Sequence, residues 1–183
     1  MTAPRIAPGS FRETGPLAWV VAYIGSRQAR SGPLTLFTTL GRHRKLFRAW
    51  LRFAGRLMPG GSLPRVDTEL VILRVAHLRS CDYEHRHHVR IGRRAGLTRE
   101  DIDRVALGPD ASGWSARHHA LLRAVDALHT EGDLDDETWH AVHAHLDDKQ
   151  CIELCMLVGH YEMLATTIAA LRIQPDPPRG RRA

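Results

Sequence analysis

Two segments of this chain are apolar on nearly every side of a helix, and this feature constrains the fold most. Hydrophobic side chains fill most positions of residues 67–78 and again of residues 151–170. A helix that is hydrophobic all round must be enclosed by other elements. The few polar side chains within these segments are informative, because burying an unpaired polar group is costly. They include Glu69 and His160.

The rest of the chain is also periodic at helical spacing. No stretch shows the sustained period-two alternation with β-branched enrichment that indicates a strand. Ser80, Thr98 and Ser115 are predicted N-caps. We predict an all-α bundle with short connections. Its helices are predicted over residues 16–29, 34–58 with a break near Gly41, 64–78, 82–95, 99–107, 116–129, 135–146 and 148–173.

Length and breaker residues predict the domain organisation. A chain of 183 residues is long enough for one well-buried core, so residues 16–173 are predicted to form a single domain. Residues 1–15, with several prolines, are predicted to be an irregular arm. Residues 174–183 combine prolines with arginines and are predicted to be a disordered basic tail.

Composition narrows the possible partners. The formal charge is +6, but the arginines are spread along the chain, and aromatic residues make up only 6%. A large stacking platform for nucleic acid is therefore not expected. The run Leu17–Ile24 is too short to span a bilayer, and no signal-peptide pattern is present. Three cysteines form no disulfide framework, which is typical of a reducing cytoplasm. From these features together we expect a soluble cytoplasmic protein without a nucleic-acid or membrane partner.

The segment 79–88 combines the side chains from which an active site could be built. Cys81, Glu84 and His88 follow at i, i+3 and i+7, so they share one helical face. With Ser80 as N-cap, Cys81 would lie in the first turn, where free N–H groups favour a thiolate. We therefore expect the pKa of Cys81 to lie below its ordinary value of about 8.5. Glu84 and His88 are an i, i+4 pair that could exchange a proton.

The run ELVILRVAHLRSCDYEHRHHVRIGRRAGL, residues 69–97, resembles the core motif of the carboxymuconolactone decarboxylase/alkylhydroperoxidase D family. The segments TREDIDRVALGPDASGW, LLRAVDALHTEGDLDDETW and LVGHYEMLATTIAAL extend the resemblance over about residues 40–172. It implies an AhpD-like helical bundle and a symmetric homo-oligomer built on trimers.

The resemblance also assigns roles to individual positions. In the alkylhydroperoxidase D branch a glutamate precedes a Cys-x-x-Cys pair, and a histidine follows four residues after the second cysteine. These positions fall on Glu69, Cys81, Glu84 and His88. Because Glu84 stands where that branch has its second cysteine, no intramolecular disulfide can form at the motif. The chain thus resembles a Cys-x-x-Glu subgroup.

Each of these residues also has a structural interpretation. Glu69 could pair with Arg65 on an exposed first turn, Cys81 could be a small buried hydrophobe, and His88 could be a structural histidine. His160 could line a pocket or lie hydrogen-bonded in the core. We assign His160 and Tyr83 as candidate substrate-binding residues.

Two further groups of side chains are given no catalytic role. Glu84, His85 and His88 lack a standard zinc spacing with a fourth ligand, so no metal is expected. Cys151 and Cys155 lie one turn apart on an apolar segment, which favours core packing.

The leading functional prediction is a cofactor-free, thiol-dependent oxidoreductase of the peroxidase or peroxiredoxin type. Cys81 would attack a peroxide or another small electrophile, Glu84 and His88 would exchange protons, and Glu69 would complete the relay. An external thiol would reduce the resulting sulfenic acid. Two alternatives stay open. One is a lyase or decarboxylase acting on a small carboxylated lactone, and the other is a non-catalytic, oligomeric ligand-binding protein.

Overall fold

This computed structural model describes residues 3–29 and 31–178, which contain nine α-helices and no strand. The prediction of an all-α fold is confirmed. In chain order the helices are α1 Phe11–Ala29, α2 Thr35–Leu40, α3 Arg44–Leu57, α4 Arg65–Leu78, α5 Asp82–Ala95, α6 Arg99–Val105, α7 Ala116–Thr130, α8 Asp136–His143 and α9 Asp148–Leu171.

The first helix begins five residues earlier than its periodicity predicts. Ser10 caps the added turn, because its N–H and its hydroxyl donate to Glu13 Oε2 over 2.7 and 2.8 Å. Gly15 has a φ of 79°, so the helical path is broken just before Pro16. The predicted irregular arm therefore ends in a short capped turn, and the apolar helix follows from Pro16.

The described chain forms two compact units. The first contains the described residues up to Ala54 together with those from Thr167 onward, and the second is Gly55–Thr166. The single domain that was expected over residues 16–173 stays a prediction.

In the first unit, the chain end binds the start of α2. Thr35 N–H donates to Asp176 Oδ1 over 2.8 Å, and Gly32 N–H donates to the Pro177 carbonyl over 2.7 Å. The tail that was predicted to be disordered thus begins as a bound segment over residues 174–178, and residues 179–183 lie outside the described part.

The second unit is organised around α4. Every residue from Asp67 to Ala76 is buried, as the apolar pattern predicts, and α5, α6 and α7 pack against this helix. One hydrophobic cluster joins α4 to the residues that follow it in the chain. It comprises Leu70, Leu73, Leu97, Ile102, Val105 and Leu122.

Arg74 is a buried cation within this apolar helix. Its guanidinium donates to both carboxylate oxygens of Asp126 on α7, over 2.7 Å each, and to the Val105 carbonyl at the end of α6, over 2.7 Å. A buried charge is tolerated when its partners satisfy it in this way. Arg74 thereby joins three helices.

The last helix is buried on one side only. Leu154, Leu157 and Val158 are enclosed, but Ile152 is 66% exposed and Met156 is 47% exposed. The apolar pattern predicted a more completely buried helix. By length and composition alone α9 could cross a membrane, with 44% of its most apolar stretch buried in the protein. The core helix of a soluble protein passes the same test.

Gly92 leaves room for the side chain of Leu97, which follows α5. A Cβ atom added at Gly92 would lie 2.9 Å from Leu97 Cδ1 and 3.5 Å from Glu69 Cβ. The first distance is too short for an undisturbed contact, so a side chain at position 92 must displace the end of the Leu97 side chain, whereas the second is an ordinary contact distance.

We expect Gly92→Ala to destabilise the protein, whereas Gly159→Ala should stabilise it by about 0.5–1 kcal/mol. Both glycines lie inside helices, so alanine gains helix propensity at both positions. Only position 92 is crowded, because a Cβ at Gly159 meets nothing within 4 Å. Urea unfolding of both variants measures the two effects. Equal stabilisation at both positions would show that Leu97 accommodates the added methyl group without cost.

Candidate functional site

The turn between α4 and α5 sets the position of Cys81. Ser80 has a φ of 49°, in the left-handed region, and Cys81 N–H donates to the Ala76 carbonyl over 2.8 Å. Ser80 thus closes α4 and cannot adopt the extended conformation of an N-cap. The N-cap of α5 is Cys81 itself. The prediction of Ser80 as the N-cap is therefore wrong by one residue.

Cys81 is a buried thiol that stays protonated. Burial raises its pKa to about 11, and the carboxylates of Glu84 and Asp82 act in the same direction. The backbone N–H groups of Tyr83 and Glu84 oppose this shift, as expected at a helix start, but do not outweigh it. The expected lowering of the Cys81 pKa is therefore wrong. With the side chain only 7% exposed, desolvation outweighs the helix terminus.

Glu84 is a buried carboxyl group with an unsatisfied oxygen. The residue is 3% exposed, and Oε2 accepts no hydrogen bond from the residues that the structure describes. Burial raises the pKa of Glu84 to about 8. At neutral pH the group is therefore mostly a neutral acid, able to give or take a proton near physiological pH.

Glu69 and His88 form a buried hydrogen-bonded pair. His88 Nδ1 lies 2.7 Å from Glu69 Oε2, and Glu69 is fully buried. Because an ionised carboxylate can only accept, the Nδ1 proton of His88 faces Glu69, and Nε2 of a neutral ring is left as an acceptor. This arrangement resembles the orienting part of a catalytic triad.

Glu69 also contacts Arg65, as its structural interpretation requires. Arg65 Nη2 lies 2.8 Å from Glu69 Oε1. The contact is an ion pair without hydrogen-bond geometry, since Oε1 has no hydrogen-bond partner among the described residues. The pair is not on an exposed turn, however, because Glu69 is buried and shared with His88.

Tyr161 is a component of this site that the sequence reasoning missed. It is buried in α9, and its ring stands perpendicular to the His88 ring with the two centroids 5.2 Å apart. Burial raises the pKa of Tyr161 well above its ordinary value, and the charges of Glu84 and Glu69 add to this shift. A phenol in an otherwise apolar segment was the available signal.

The two candidate substrate-binding residues differ in their surroundings. His160 is buried, and burial lowers its pKa to about 4, so the imidazole is neutral at physiological pH. It packs against Tyr161 with ring centroids 5.2 Å apart. Tyr83 is half-buried, and its ring lies 4.8 Å from that of His87. His160 thus contacts Tyr161, which is part of the site. Tyr83 is close to Cys81 through its backbone N–H group.

The remaining potential ligands and thiols are dispersed. Within residues 3–29 and 31–178, no three His, Cys, Asp or Glu side chains are arranged to hold a metal ion. All three cysteines are free. Cys151 is buried and its thiol donates weakly to the Leu146 carbonyl over 3.9 Å, while burial raises the pKa of both Cys151 and Cys155.

Comparison with known proteins gives one family match. Residues 44–127 match the carboxymuconolactone decarboxylase family. The matched segment runs from α3 to α7 and contains Glu69, Cys81, Glu84 and His88. A search of curated proteins finds no significant match.

Several solved structures share the fold at low sequence identity. The alkylhydroperoxidase AhpD core of a peroxidase-related protein from Ralstonia eutropha is 16% identical, with a TM-score of 0.83 over 96% of this chain and 94% of that one. A peroxidase-related protein from Silicibacter is 12% identical, with a TM-score of 0.79 over 96% and 95%. The debrominase Bmp8 is 16% identical, with a TM-score of 0.77 over 93% and 91%. These likenesses show the AhpD-like fold.

Glu84 should make the protein less stable as pH rises. Its pKa is about 8 in the folded protein and near the ordinary 4.5 in the unfolded chain. Between these values the folded state binds more protons, so stability falls with increasing pH. Relative to Glu84→Gln, the wild type should lose up to about 5 kcal/mol from pH 4.5 to pH 8. Urea unfolding at several pH values gives this difference.

The exposed Glu131 provides the control. Glu131→Gln should leave the pH dependence of unfolding as it is in the wild type. A wild type and a Glu84→Gln variant with parallel profiles would show that Glu84 ionises normally in the folded protein.

Proposed function

We propose that this chain, whose residues 44–127 match the carboxymuconolactone decarboxylase family, is a cofactor-free, thiol-dependent oxidoreductase that reduces a peroxide or a similar small electrophile. The observation that carries the proposal is a buried thiol, Cys81, beside a buried carboxyl group, Glu84, with an unsatisfied oxygen. The hydrogen-bonded pair of Glu69 and His88 joins α4, which precedes Cys81, to α5, which contains Glu84. A thiol and two acid–base groups can carry out such a reaction on their own.

The reaction begins from a protonated thiol. Since the pKa of Cys81 is about 11, a base must take its proton as the sulfur attacks. Glu84, with a pKa of about 8, is ionised in about a tenth of molecules at pH 7 and can serve as that base. The thiolate then attacks the terminal, hydrogen-bearing peroxide oxygen, and the O–O bond breaks. The leaving alkoxide takes the proton from Glu84, which yields an alcohol and Cys81 sulfenic acid.

An external thiol completes the cycle. One reductant thiol attacks the sulfenic sulfur, releases water and forms a mixed disulfide. A second thiol then attacks this disulfide, which restores Cys81 and yields an oxidised reductant. Since Glu84 stands in place of a second cysteine, the motif supplies no resolving thiol of its own. A small-molecule or protein thiol is therefore part of the proposal.

The Glu69–His88 pair would exchange protons with this centre. A neutral His88 has Nε2 free to accept a proton, and the Glu69 carboxylate at Nδ1 stabilises the imidazolium that forms. Arg65 balances the charge of Glu69 from the other oxygen. We therefore propose Glu69 as the residue that orients His88, with His88 and Glu84 as the two proton carriers.

A protein of the same fold supports the use of a cysteine and a compact substrate. A cysteine-to-alanine variant of the debrominase Bmp8 was solved in complex with 2,3,4-tribromopyrrole, and it is 15% identical to this chain. A small halogenated ring is, like a peroxide, an electrophile that a thiol can attack.

We also propose, from the family resemblance, a cytoplasmic homo-oligomer built on trimers.

The raised pKa of Cys81 favours a second candidate, a lyase acting on a small carboxylated lactone. In that reaction Glu84, mostly protonated at neutral pH, would protonate the carbanion left by the loss of carbon dioxide. Cys81 would only line the pocket. The two candidates therefore differ in whether the thiol is needed.

Cys81→Ser and Glu84→Gln should each reduce turnover of an organic hydroperoxide with a dithiol reductant by about 10²-fold or more. The first variant lacks the nucleophile and the second lacks the base. Cys155→Ser is the matched control and should keep the wild-type rate. The same proteins are assayed for carbon dioxide release from a carboxylated lactone. Lyase activity that survives Cys81→Ser would replace the first proposal by the second, and no activity in either assay would contradict both.

A further inference from the structure

The Tyr161 ring contacts two imidazoles in the second unit, that of His88 and that of its chain neighbour His160. Its centroid is 5.2 Å from that of His88 and 5.2 Å from that of His160, with interplanar angles of 88° and 87°. Perpendicular contacts at this distance are a favoured aromatic arrangement. Tyr161 and His160 belong to α9 and His88 to α5, so the ring joins the two helices at the site.

The hydrogen bond to Glu69 does not by itself fix the His88 ring. The torsion that rotates an imidazole about its Cβ–Cγ bond is broad and roughly two-fold. Rotation about this torsion carries Nδ1 away from Glu69 Oε2, and a ring without that bond can carry its proton on either nitrogen. A second contact, on another part of the ring, removes this freedom, and Tyr161 provides it.

The phenol hydroxyl is a minor part of this arrangement. It contacts the Met58 sulfur over 3.8 Å, and a thioether is a weak acceptor. The ring, in contrast, is enclosed and touches both histidines. The position of the ring therefore depends on packing, and phenylalanine would fill the same space.

We infer that Tyr161 is a positioning residue: its ring, backed by His160, holds the His88 imidazole with Nδ1 toward Glu69 and Nε2 toward the reacting groups. The inference rests on the proposed function of the Glu69–His88 pair. It also gives His160 a role, as the support of the Tyr161 ring rather than as a substrate contact.

The test compares Tyr161→Phe, which keeps the ring, with Tyr161→Leu and Tyr161→Met, which remove it. Ring ¹⁵N NMR of histidine-labelled protein reports the tautomer of His88, whose signals are assigned from a His88→Gln sample. In the wild type and in Tyr161→Phe we expect a single tautomer with the proton on Nδ1. In Tyr161→Leu and Tyr161→Met we expect a mixture of tautomers and hydroperoxide turnover slower by ~10²-fold.

Trp114→Leu is the matched control, because it also removes a ring that stands near-perpendicular to a histidine. Trp114 packs against the hydrophobic core and lies 6.1 Å from the ring of His118. This variant should be destabilised comparably and leave the His88 signals unchanged. Thermal unfolding identifies the variants that are folded at the assay temperature. Tyr161→Met is included because the larger Met side chain fills more of the space left by the ring, so that a folded ring-free protein can be measured.

Two results would overturn the inference. One is an unchanged His88 tautomer in a folded ring-free variant, and the other is a Tyr161→Phe protein as impaired as Tyr161→Leu. If the wild type turns over no hydroperoxide, the proposed function fails, but the tautomer spectra still decide whether Tyr161 orients His88.

Discussion

The buried hydrogen bond between Glu69 and His88 is the contact on which the rest of the site depends. A fully buried carboxylate is tolerated only with partners, and Glu69 has two, His88 and Arg65. Gly92, one turn after His88, also lies against Glu69, since a Cβ atom added there would be 3.5 Å from Glu69 Cβ. Once His88 is held against Glu69, the register of α5 places Glu84 one turn earlier on the same face.

Two buried carboxyl groups in this site differ in their surroundings, although each has one oxygen without a hydrogen bond from the described residues. Glu69 is paired with a cation and an imidazole, whereas Glu84 Oε2 has no hydrogen-bond partner among the described residues and burial raises the pKa of the group to about 8. Differences of this kind separate acid from base roles in enzymes. Here they leave a mostly neutral acid beside a protonated thiol at rest, and the minority of molecules with an ionised Glu84 supplies the base for Cys81.

Local sequence patterns were sufficient for the all-α fold, because it follows from helical periodicity. The shared face of Cys81, Glu84 and His88 stays a prediction, since Cys81 is the N-cap and not a residue within α5. The ionisation of Cys81 was predicted wrongly, since it depends on how deeply α5 is buried by segments distant in the chain. Tyr161 was missed for the same reason, as its contact with His88 joins α9 to α5. The N-cap shifted from Ser80 to Cys81 because the α4–α5 turn requires a left-handed residue.

The central claim is that Cys81 is a protonated thiol at rest and that the charge of Glu84 raises the pKa of this thiol. The most direct measurement is the rate of Cys81 alkylation by iodoacetamide as a function of pH, with Cys81→Ser subtracted as background. The account predicts an apparent pKa of about 11 in the wild type and a lower one in Glu84→Gln, because the Glu84 carboxylate raises the pKa of the thiol. An apparent pKa at or below about 8.5 that Glu84→Gln leaves unchanged would contradict it.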